Sequence, residues 1–262
     1  MTVPAQGFVR RRQADGVATV ELVNAKSMNI LGSAAIEELT DEFRRIAREE
    51  DCRVVVLRGA GEKAFIGGAD INEMAGLDQA AAEAFISGLA ALCEAVRACP
   101  APVIARLSGW CLGAGLEVAV SCDLRVAGAG ATFGMPEVAV GIPSVIHAAL
   151  IPAMIGASRA AWLLLTGETI GAGTAASWGL VHDVVPDDEL DARITRLAAR
   201  MAALGPQAVR RQKRLLNEWI DMTPARAIED SIVQFGRAYL TGEPQQYMAR
   251  FAERQAARRK QP

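Results

Sequence analysis

The chain has 262 residues, of which 51% are hydrophobic and 22% charged, a balance typical of a packed globular protein that excludes a disordered one. The net charge of -2 implies no basic face, so nucleic acid is not expected as a partner. The five cysteines have no CxxC spacing and only two histidines are present. We therefore expect buried free thiols and no metal site.

No targeting or membrane segment is predicted. The N-terminal stretch MTVPAQGFVRRRQADG lacks the apolar segment of a secretory signal. No run of about 18 apolar residues without charge occurs, so no membrane span is expected. These features predict a cytoplasmic protein.

The chain begins with a predicted hairpin. FVRRRQ and VATVEL are strand-like and are joined by Asp15-Gly16, a favourable turn pair. An amphipathic helix follows, which Ser33 can cap. Its apolar face carries Ile36, Leu39, Phe43 and Ile46.

Strands, tight turns and helices then alternate, which predicts an α/β core. RVVVLRGAG and PVIARLSG are predicted buried parallel strands, and Gln79 to Ala98 is a predicted long helix that Pro100 ends. WCLGAG is a predicted turn that opens into the short buried helix LEVAVSC. From about residue 190 only helices are expected. The domain prediction is an α/β core with the ligand site over residues 1–195 and a helical region over 196–262.

Two glycine-rich turns open into predicted helices, at Gly67-Gly68-Ala69-Asp70 and at Gly113-Ala114-Gly115. The first N–H groups of a helix lack intrahelical acceptors and point toward negative charge. Two such groups on one oxygen would form an oxyanion hole, which can supply about 3–4 kcal/mol per donor. The alternative for either turn is that glycine only lets helix and strand pack closely.

Two carboxylates stand near these turns. Glu117 lies in the first turn of the predicted helix among apolar neighbours, where burial would raise its pKa. Glu137, in FGMPEV, lies in a constrained turn. Two carboxylates flanking a substrate can share proton transfer, whereas the simpler reading makes one a helix-start acid and the other a loop acid. Asp70 is predicted to cap the helix that begins at INEM.

Other catalytic readings are weaker. Asp123, His147 and His182 are expected to be structural, and no G-x-S-x-G supports a Ser-His-Asp site. GWCLGAG has the glycine spacing of short-chain dehydrogenases. It lies more than a hundred residues into the chain, however, and neither Tyr239 nor Tyr247 is followed four residues later by Lys. The dehydrogenase reading is therefore rejected.

Taken together, the segments resemble the crotonase, or enoyl-CoA hydratase/isomerase, superfamily. The matching segments, which occur in the family's order over nearly the whole chain, are KAFIGGADINEM, PVIARLSGWCLGAGLEVAVSCDLRVA, FGMPEV, LLLTGETIGAGTAASWGLVHDVVPDDEL and GPQAVRRQKRLLNEW. The resemblance implies a spiral of ββα units with a C-terminal helical region that builds trimers, often paired into hexamers. It also implies an acyl-CoA thioester as substrate, with coenzyme A entering as part of the substrate and no separate cofactor.

The resemblance further implies roles for individual residues. Ala69 and Ala114 would offer their N–H groups to the thioester oxygen. Glu117 and Glu137, 20 residues apart as in the family's hydratases, would add water in syn geometry to a 2-enoyl-CoA. In that scheme Glu117 activates the water that attacks C3 and Glu137 delivers a proton to C2.

The coenzyme A contacts implied by the resemblance are Lys26, Met28, Ala64, Gly68, Asp70, Ile71, Trp110, Leu112, Gly113, Phe235, Phe251 and Arg254. Lys26 would meet a phosphate and Met28 the pantetheine tunnel. The last three lie in C-terminal helices, which in some members reach a neighbouring active site. For those three a core position or a solvated helix face is the open alternative.

Three features depart from the family pattern, two single residues and one stretch of three. Ala114 stands where glycine is usual, and Asn72 replaces a frequent Lys. In GIPSVIHAAL, Ser144, Val145 and Ile146 replace a Gly-rich stretch beside the acyl pocket. The alternatives to hydration are therefore double-bond isomerisation, decarboxylation, retro-aldol cleavage, or acyl-CoA binding without chemistry.

Overall fold

The computed structural model describes residues 7–259. The first six residues of the N-terminal stretch, in which we expect no secretory signal, lie outside the described part. A six-stranded sheet has the order β1-β2-β4-β7-β9-β12, and only its β1–β2 pair is antiparallel. Its strands are β1 (Val9–Ala14), β2 (Val17–Leu22), β4 (Val54–Gly59), β7 (Val103–Leu107), β9 (Leu124–Gly128) and β12 (Asp183–Val185). Two smaller sheets, β11-β10-β8-β5 and β3-β6, contain β3 (Ile30–Leu31), β5 (Ala64–Ile66), β6 (Gly68–Ala69), β8 (Trp110–Leu112), β10 (Thr132–Gly134) and β11 (Thr169–Gly171).

The helices divide into an inner and a C-terminal group. The inner helices are α1 (Ser33–Ile46), α2 (Ile71–Met74), α3 (Gln79–Ala98), α4 (Ala114–Ser121), α5 (Ile151–Ile155), α6 (Ala157–Thr166) and α7 (Ala172–Trp178). The C-terminal helices are α8 (Leu190–Ala202), α9 (Pro206–Trp219), α10 (Pro224–Ala238) and α11 (Glu243–Arg259). Short 3-10 helices lie at Pro136–Val140, Ile146–Leu150, Asp187–Glu189 and Tyr239–Thr241.

The chain repeats one structural unit along a spiral. A strand of the six-stranded sheet is followed by a strand of a smaller sheet and then by a helix, as in β7, β8 and α4. The same order links β2, β3 and α1, and β4 and β5 lead to α3 after the intervening strand β6 and the short helix α2. This arrangement confirms the predicted spiral of ββα units.

The N-terminal hairpin forms as predicted. Val9 pairs with Leu22 and Ala14 with Val17, so the turn is Asp15-Gly16. Both turn residues have positive φ, 51° and 77°, which suits the right-handed twist of a two-residue hairpin. The buried strand predicted from RVVVLRGAG is β4, parallel to both β2 and β7.

Two apolar layers cover the six-stranded sheet. On β4, Val55 and Leu57 face the larger core with α1, α3 and α4, while Val54 and Val56 face a smaller core beneath α8. This alternation follows from the two-residue repeat of a strand. All five cysteines are buried and free, as expected.

Helix α3 has the predicted bounds and is the one described helix long and apolar enough, by length and composition, to span a membrane. Phe85, Leu89, Leu92 and Val96 point from it into the core. Its remaining faces carry several small and polar side chains, and it packs against α1 and α4.

The last strand ends at Val185 and helices follow from Leu190, as predicted. Helix α9 is joined to the core by Lys213, a buried lysine that pairs with Asp123 at 2.7 Å. Asp123 also accepts a hydrogen bond from the N–H of Val103 at 2.6 Å. Asp123 therefore has the structural position expected of it, where α4 passes into β9.

Two local predictions are wrong. Gly32, and not Ser33, is the N-cap of α1, and the N–H of Ser33 donates to the Glu73 carboxylate at 3.0 Å. A side chain from α2 thus performs the capping that we expected from Ser33. WCLGAG contains the strand β8, and α4 begins at Ala114, two residues before the predicted start.

His147, which we expected to be structural, contacts a glutamate of α3: its Nε2 lies 2.8 Å from Glu94 Oε1.

Candidate active site

Glu117 is a buried carboxylate on a buried helix. All eight residues of α4 are buried, and Glu117 is 4% exposed. Its Oε1 accepts a hydrogen bond from the N–H of Ala148 at 3.2 Å. The same N–H also donates to the carbonyl of Val145, at 2.9 Å. Burial raises the pKa of Glu117 to about 8, and the nearby charge of Glu137 also raises it. The side chain is therefore suited to exchange a proton near neutral pH.

Glu137 lies in the 3-10 helix that follows β10 and is coupled electrostatically to Glu117. Its Oε2 accepts a hydrogen bond from the Ser144 hydroxyl at 2.9 Å. Burial raises the pKa of Glu137, while the hydrogen bonds from its own backbone N–H and from Ser144 oppose that increase. The two carboxylates therefore have different surroundings, since Glu117 is buried and Glu137 is half-buried.

Gly113 separates β8 from α4 and cannot readily be any other residue. Its φ is +52°, in the left-handed region that favours glycine. A Cβ at this position would also lie 2.4 Å from Oε1 of Glu137. The absence of a side chain therefore lets the Glu137 carboxylate approach the start of α4.

A single segment, residues 142–148, supplies a donor to each carboxylate. Ser144 serves Glu137, and Ala148 serves Glu117. Between them Ile146 has φ +41°, an unusual and strained conformation for a β-branched residue. The sequence predicted only bulk here, at Ser144–Ile146. Neither donor was predicted, because a backbone N–H or a lone serine gives no signal in the sequence.

The two N–H groups predicted to bind an oxyanion lie on adjacent elements. Ala114 is the first residue of α4, so its N–H has no intrahelical acceptor. Ala69 lies in the strand β6, not at a helix start as the sequence suggested. Because the N–H of Asp70 bonds to Leu31 of β3, the N–H of Ala69 points toward the opposite edge. A Cβ on Gly68 would lie 3.6 Å from the carbonyl of Leu112, so β6 lies beside the turn that leads to α4.

Asp70 is the predicted N-cap of α2, and its carboxylate accepts a hydrogen bond from the N–H of Asn72 at 3.1 Å. The same carboxylate pairs with Lys26, whose side chain is 56% exposed. The hydrogen bond from Lys26 lowers the pKa of Asp70. The cation predicted to meet a phosphate is therefore paired with the capping residue of α2.

The other implied contacts of the core surround these turns. Met28 is half-buried, and its carbonyl accepts from Gly67 N–H at 2.8 Å. Ala64 is buried opposite Trp110 in the β5–β8 ladder, and Trp110 is 39% exposed. Leu112 is half-buried at the end of β8, and Ile71 is 59% exposed at the start of α2.

The structure does not bring the three C-terminal residues into this group. Phe235 and Phe251 are 69% and 62% exposed, and Arg254 lies on the exposed surface of α11. Phe235 lines a groove of about 710 Å³ whose other walls come from Trp219 of α9 and from α10. Helix α10 packs on α9, and α11 on the 3-10 helix that follows α10.

No cluster of three or more His, Cys, Asp or Glu side chains that could hold a metal occurs within residues 7–259. A spiral of ββα units, with two desolvated carboxylates beside the start of a buried helix, defines a member of the crotonase superfamily.

The chain belongs to the enoyl-CoA hydratase/isomerase family, whose model matches residues 12–262. It is 32% identical to a crotonyl-CoA hydratase of Syntrophomonas wolfei, over 92% of this chain and 93% of the relative. It is 32% identical to a short-chain-enoyl-CoA hydratase of Clostridium acetobutylicum, over 91% and 92%. A crystal structure of an enoyl-CoA hydratase from Bacillus anthracis superposes with a TM-score of 0.91 at 32% identity, covering 94% of this chain and 96% of that one.

Proposed function

We propose that this protein is an enoyl-CoA hydratase, a hydro-lyase that adds water in syn geometry across the double bond of a 2-enoyl-CoA. The observation that carries the proposal is the electrostatically coupled pair of carboxylates beside the start of α4, the buried Glu117 and the half-buried Glu137. The names of the similar hydratases favour a short acyl chain such as crotonyl.

The reaction follows from the charges that develop. Attack of water at C3 moves electrons onto the thioester oxygen, and the N–H groups of Ala69 and Ala114 would stabilise that enolate. Glu117 takes one proton from the attacking water, and Glu137 donates a proton to C2. One C–O and one C–H bond form, and the carbon–carbon π bond and an O–H bond of water break.

The proton inventory of the pair closes over a cycle. Hydration starts with Glu137 protonated and Glu117 ionised, and it ends with Glu137 ionised and Glu117 carrying a proton taken from the water. In the free protein the pKa of Glu117, about 8, favours that second state. A proton must therefore pass from Glu117 to Glu137 before the next hydration, and water bridging the carboxylates is the proposed route. The two groups titrate as a coupled pair.

Coenzyme A enters as part of the substrate. No redox cofactor is proposed because hydration transfers no electrons to an external acceptor, and no metal is proposed because the two carboxylates and the backbone N–H groups are assigned the proton transfers and the stabilisation of the enolate. The glycine turns and Lys26 would bind the pantetheine and phosphate groups. The proposed assembly is a homotrimer or a dimer of trimers. It is supported by exposed apolar side chains on the C-terminal helices, which are Ile228, Ile232, Val233, Phe235, Met248 and Phe251.

The test is the loss of absorbance of the conjugated enoyl thioester with crotonyl-CoA and longer homologues. We expect Glu117→Gln and Glu137→Gln each to reduce turnover by about 10²- to 10⁴-fold, the usual contribution of a general acid or base. Glu83→Gln, which alters an exposed glutamate of α3, should leave turnover unchanged.

Mass analysis of the product separates the alternatives. Hydration adds one water, whereas double-bond isomerisation leaves the mass unchanged and decarboxylation or retro-aldol cleavage lowers it. Acyl-CoA binding without any product would indicate a noncatalytic member. Full turnover in both glutamine variants would contradict the proposed roles of the carboxylates.

A further inference from the structure

We propose that Ser144 is a positioning residue whose hydroxyl fixes the Glu137 carboxylate in its reactive orientation. The proposal rests on the proposed hydratase function. It assigns a role to the segment that departs most from the family pattern. Ser144 would act through Glu137 and would not itself touch the reacting carbons.

The two carboxylate oxygens of Glu137 have different neighbours. Oε2 accepts from Ser144 Oγ at 2.9 Å. Oε1 lies over Gly113, 2.4 Å from the place where a Cβ would stand. Loss of the hydroxyl would free one oxygen and allow the carboxylate to rotate. A displacement of about 1 Å in a reacting group can cost about 10²-fold in rate.

Ser144 is itself held in place by the backbone on either side. Gly141 has φ +81° and ends the 3-10 helix that carries Glu137. Ile146 has φ +41°, a strained conformation that persists only where its surroundings enforce it. The following residues provide that support, since His147 contacts Glu94 and Ala148 donates to Glu117. The serine therefore belongs to a braced segment of the site.

No cation pairs with Glu137 in the part of the chain that the structure describes. Glu117 on α4 is the charged group coupled to it. Helix α6 packs against the 3-10 helix of Glu137, and its one charged residue, Arg159, donates to the carbonyl of Trp178 at 3.4 Å. His147 lies next to Glu94 and is favoured in its neutral form by burial. The Ser144 hydroxyl is thus the side-chain donor that favours ionised Glu137.

The experiment compares Ser144→Ala, which removes the hydroxyl, with Ser144→Thr, which retains it. Carbon-13 NMR of labelled glutamate carboxyls, assigned with Glu137→Gln, follows the titration of Glu137 in the substrate-free protein. Steady-state kinetics with crotonyl-CoA give kcat and KM as functions of pH. Ser177→Ala is the control, since it removes an exposed serine hydroxyl on α7 that donates to the carbonyl of Thr174.

We expect Ser144→Ala to raise the pKa of Glu137 and to move the limb of the kcat/KM profile that reports Glu137 to higher pH. It should lower kcat by about 10- to 100-fold while KM changes by less than about 2-fold, because orientation and not binding is lost. Ser144→Thr should restore both the titration and kcat. Ser177→Ala should change neither.

Three outcomes would overturn the proposal: an unchanged Glu137 titration in Ser144→Ala, a rise in KM with kcat intact, or no rescue by Thr. Ser144→Gly is a second deletion variant if the alanine variant does not fold. Absence of hydration in the wild-type protein would refute the proposed function, while the NMR titration would still test the contact between Ser144 and Glu137.

Discussion

The two carboxylates come from regions that are built differently. Glu117 stands on α4, which is buried along its whole length, and its hydrogen bond comes from the backbone of Ala148. Glu137 stands on a 3-10 helix whose last three residues are exposed, and its hydrogen bond comes from a side chain, that of Ser144. The fold itself fixes the first carboxylate, whereas local sequence fixes the second. We therefore expect substitutions in the loop of Glu137 to alter the reaction with less effect on the fold than substitutions in α4.

The start of α4 offers the strongest test of this contrast, because the helix is proposed to supply an N–H group as well as Glu117. Ala114→Pro replaces the N–H by a ring methylene, and proline is favoured at the first position of a helix. We expect hydration to fall by about 10²- to 10³-fold, the typical loss for one oxyanion donor. Steady-state turnover of crotonyl-CoA, with thermal unfolding measured in parallel, checks the prediction.

Ala157→Pro is the matched control for that variant. Ala157 is the first residue of α6 and also follows a glycine of positive φ, Gly156, but it is exposed and lies outside the site. Both proline variants should unfold at nearly the wild-type temperature. Wild-type turnover in Ala114→Pro would show that its N–H does not stabilise the transition state.

The second prediction separates the carboxylates by their effect on stability. The folded protein raises the pKa of Glu117 from 4.5 to about 8, so ionisation costs more in the folded state than in the unfolded state. The contribution of neutral Glu117 is complete below about pH 4.5 and is lost as pH rises through 8. Glu117→Gln removes this loss and keeps an acceptor for Ala148. We expect it to stabilise the protein at pH 9 by on the order of 2–4 kcal/mol, with little change at pH 5.

Urea unfolding at pH 5, 7 and 9 measures this difference. Glu137→Gln should show the same direction with a smaller amplitude, because hydrogen bonds from Ser144 and from its own backbone offset part of the burial effect. Parallel stability curves for wild type and Glu117→Gln between pH 5 and 9 would show that Glu117 ionises freely in the folded protein.

The sequence predicted elements whose signals are local. The hairpin follows from Asp15-Gly16, both of which have positive φ, and Pro100 stands two residues beyond the predicted and observed end of α3 at Ala98. The capping of α1 was wrong because Glu73, forty residues away from Ser33, performs it. A tertiary contact of this kind leaves no pattern in the segment that it serves.

The residues of the site also divide into those with a local sequence signal and those that depend on tertiary structure. Glycine turns and carboxylates have recognisable spacing, and the structure places Glu117 and Glu137 within electrostatic reach of one another. Ser144 and Ala148 could not be predicted as donors, because their roles depend on the left-handed backbone at Ile146, a residue type that rarely adopts it. Phe235 could not be placed either, since an amphipathic helix pattern does not reveal which surface will cover it.

The smallest predicted effect concerns a third carboxylate, Asp70, whose pKa is lowered where those of Glu117 and Glu137 are raised. Lys26 lowers its pKa, and the lysine side chain remains 56% exposed. Because an exposed charge contributes little interaction free energy in water, Lys26→Gln should raise KM for crotonyl-CoA by only about 2- to 5-fold, with kcat unchanged. In 1 M salt, where the Debye length is about 3 Å, the difference should vanish. Arg196→Gln, at an exposed arginine of α8, should leave KM unchanged at every salt concentration. An unchanged KM in Lys26→Gln at low salt would mean that Lys26 serves Asp70 and the start of α2, and not the phosphates of the substrate.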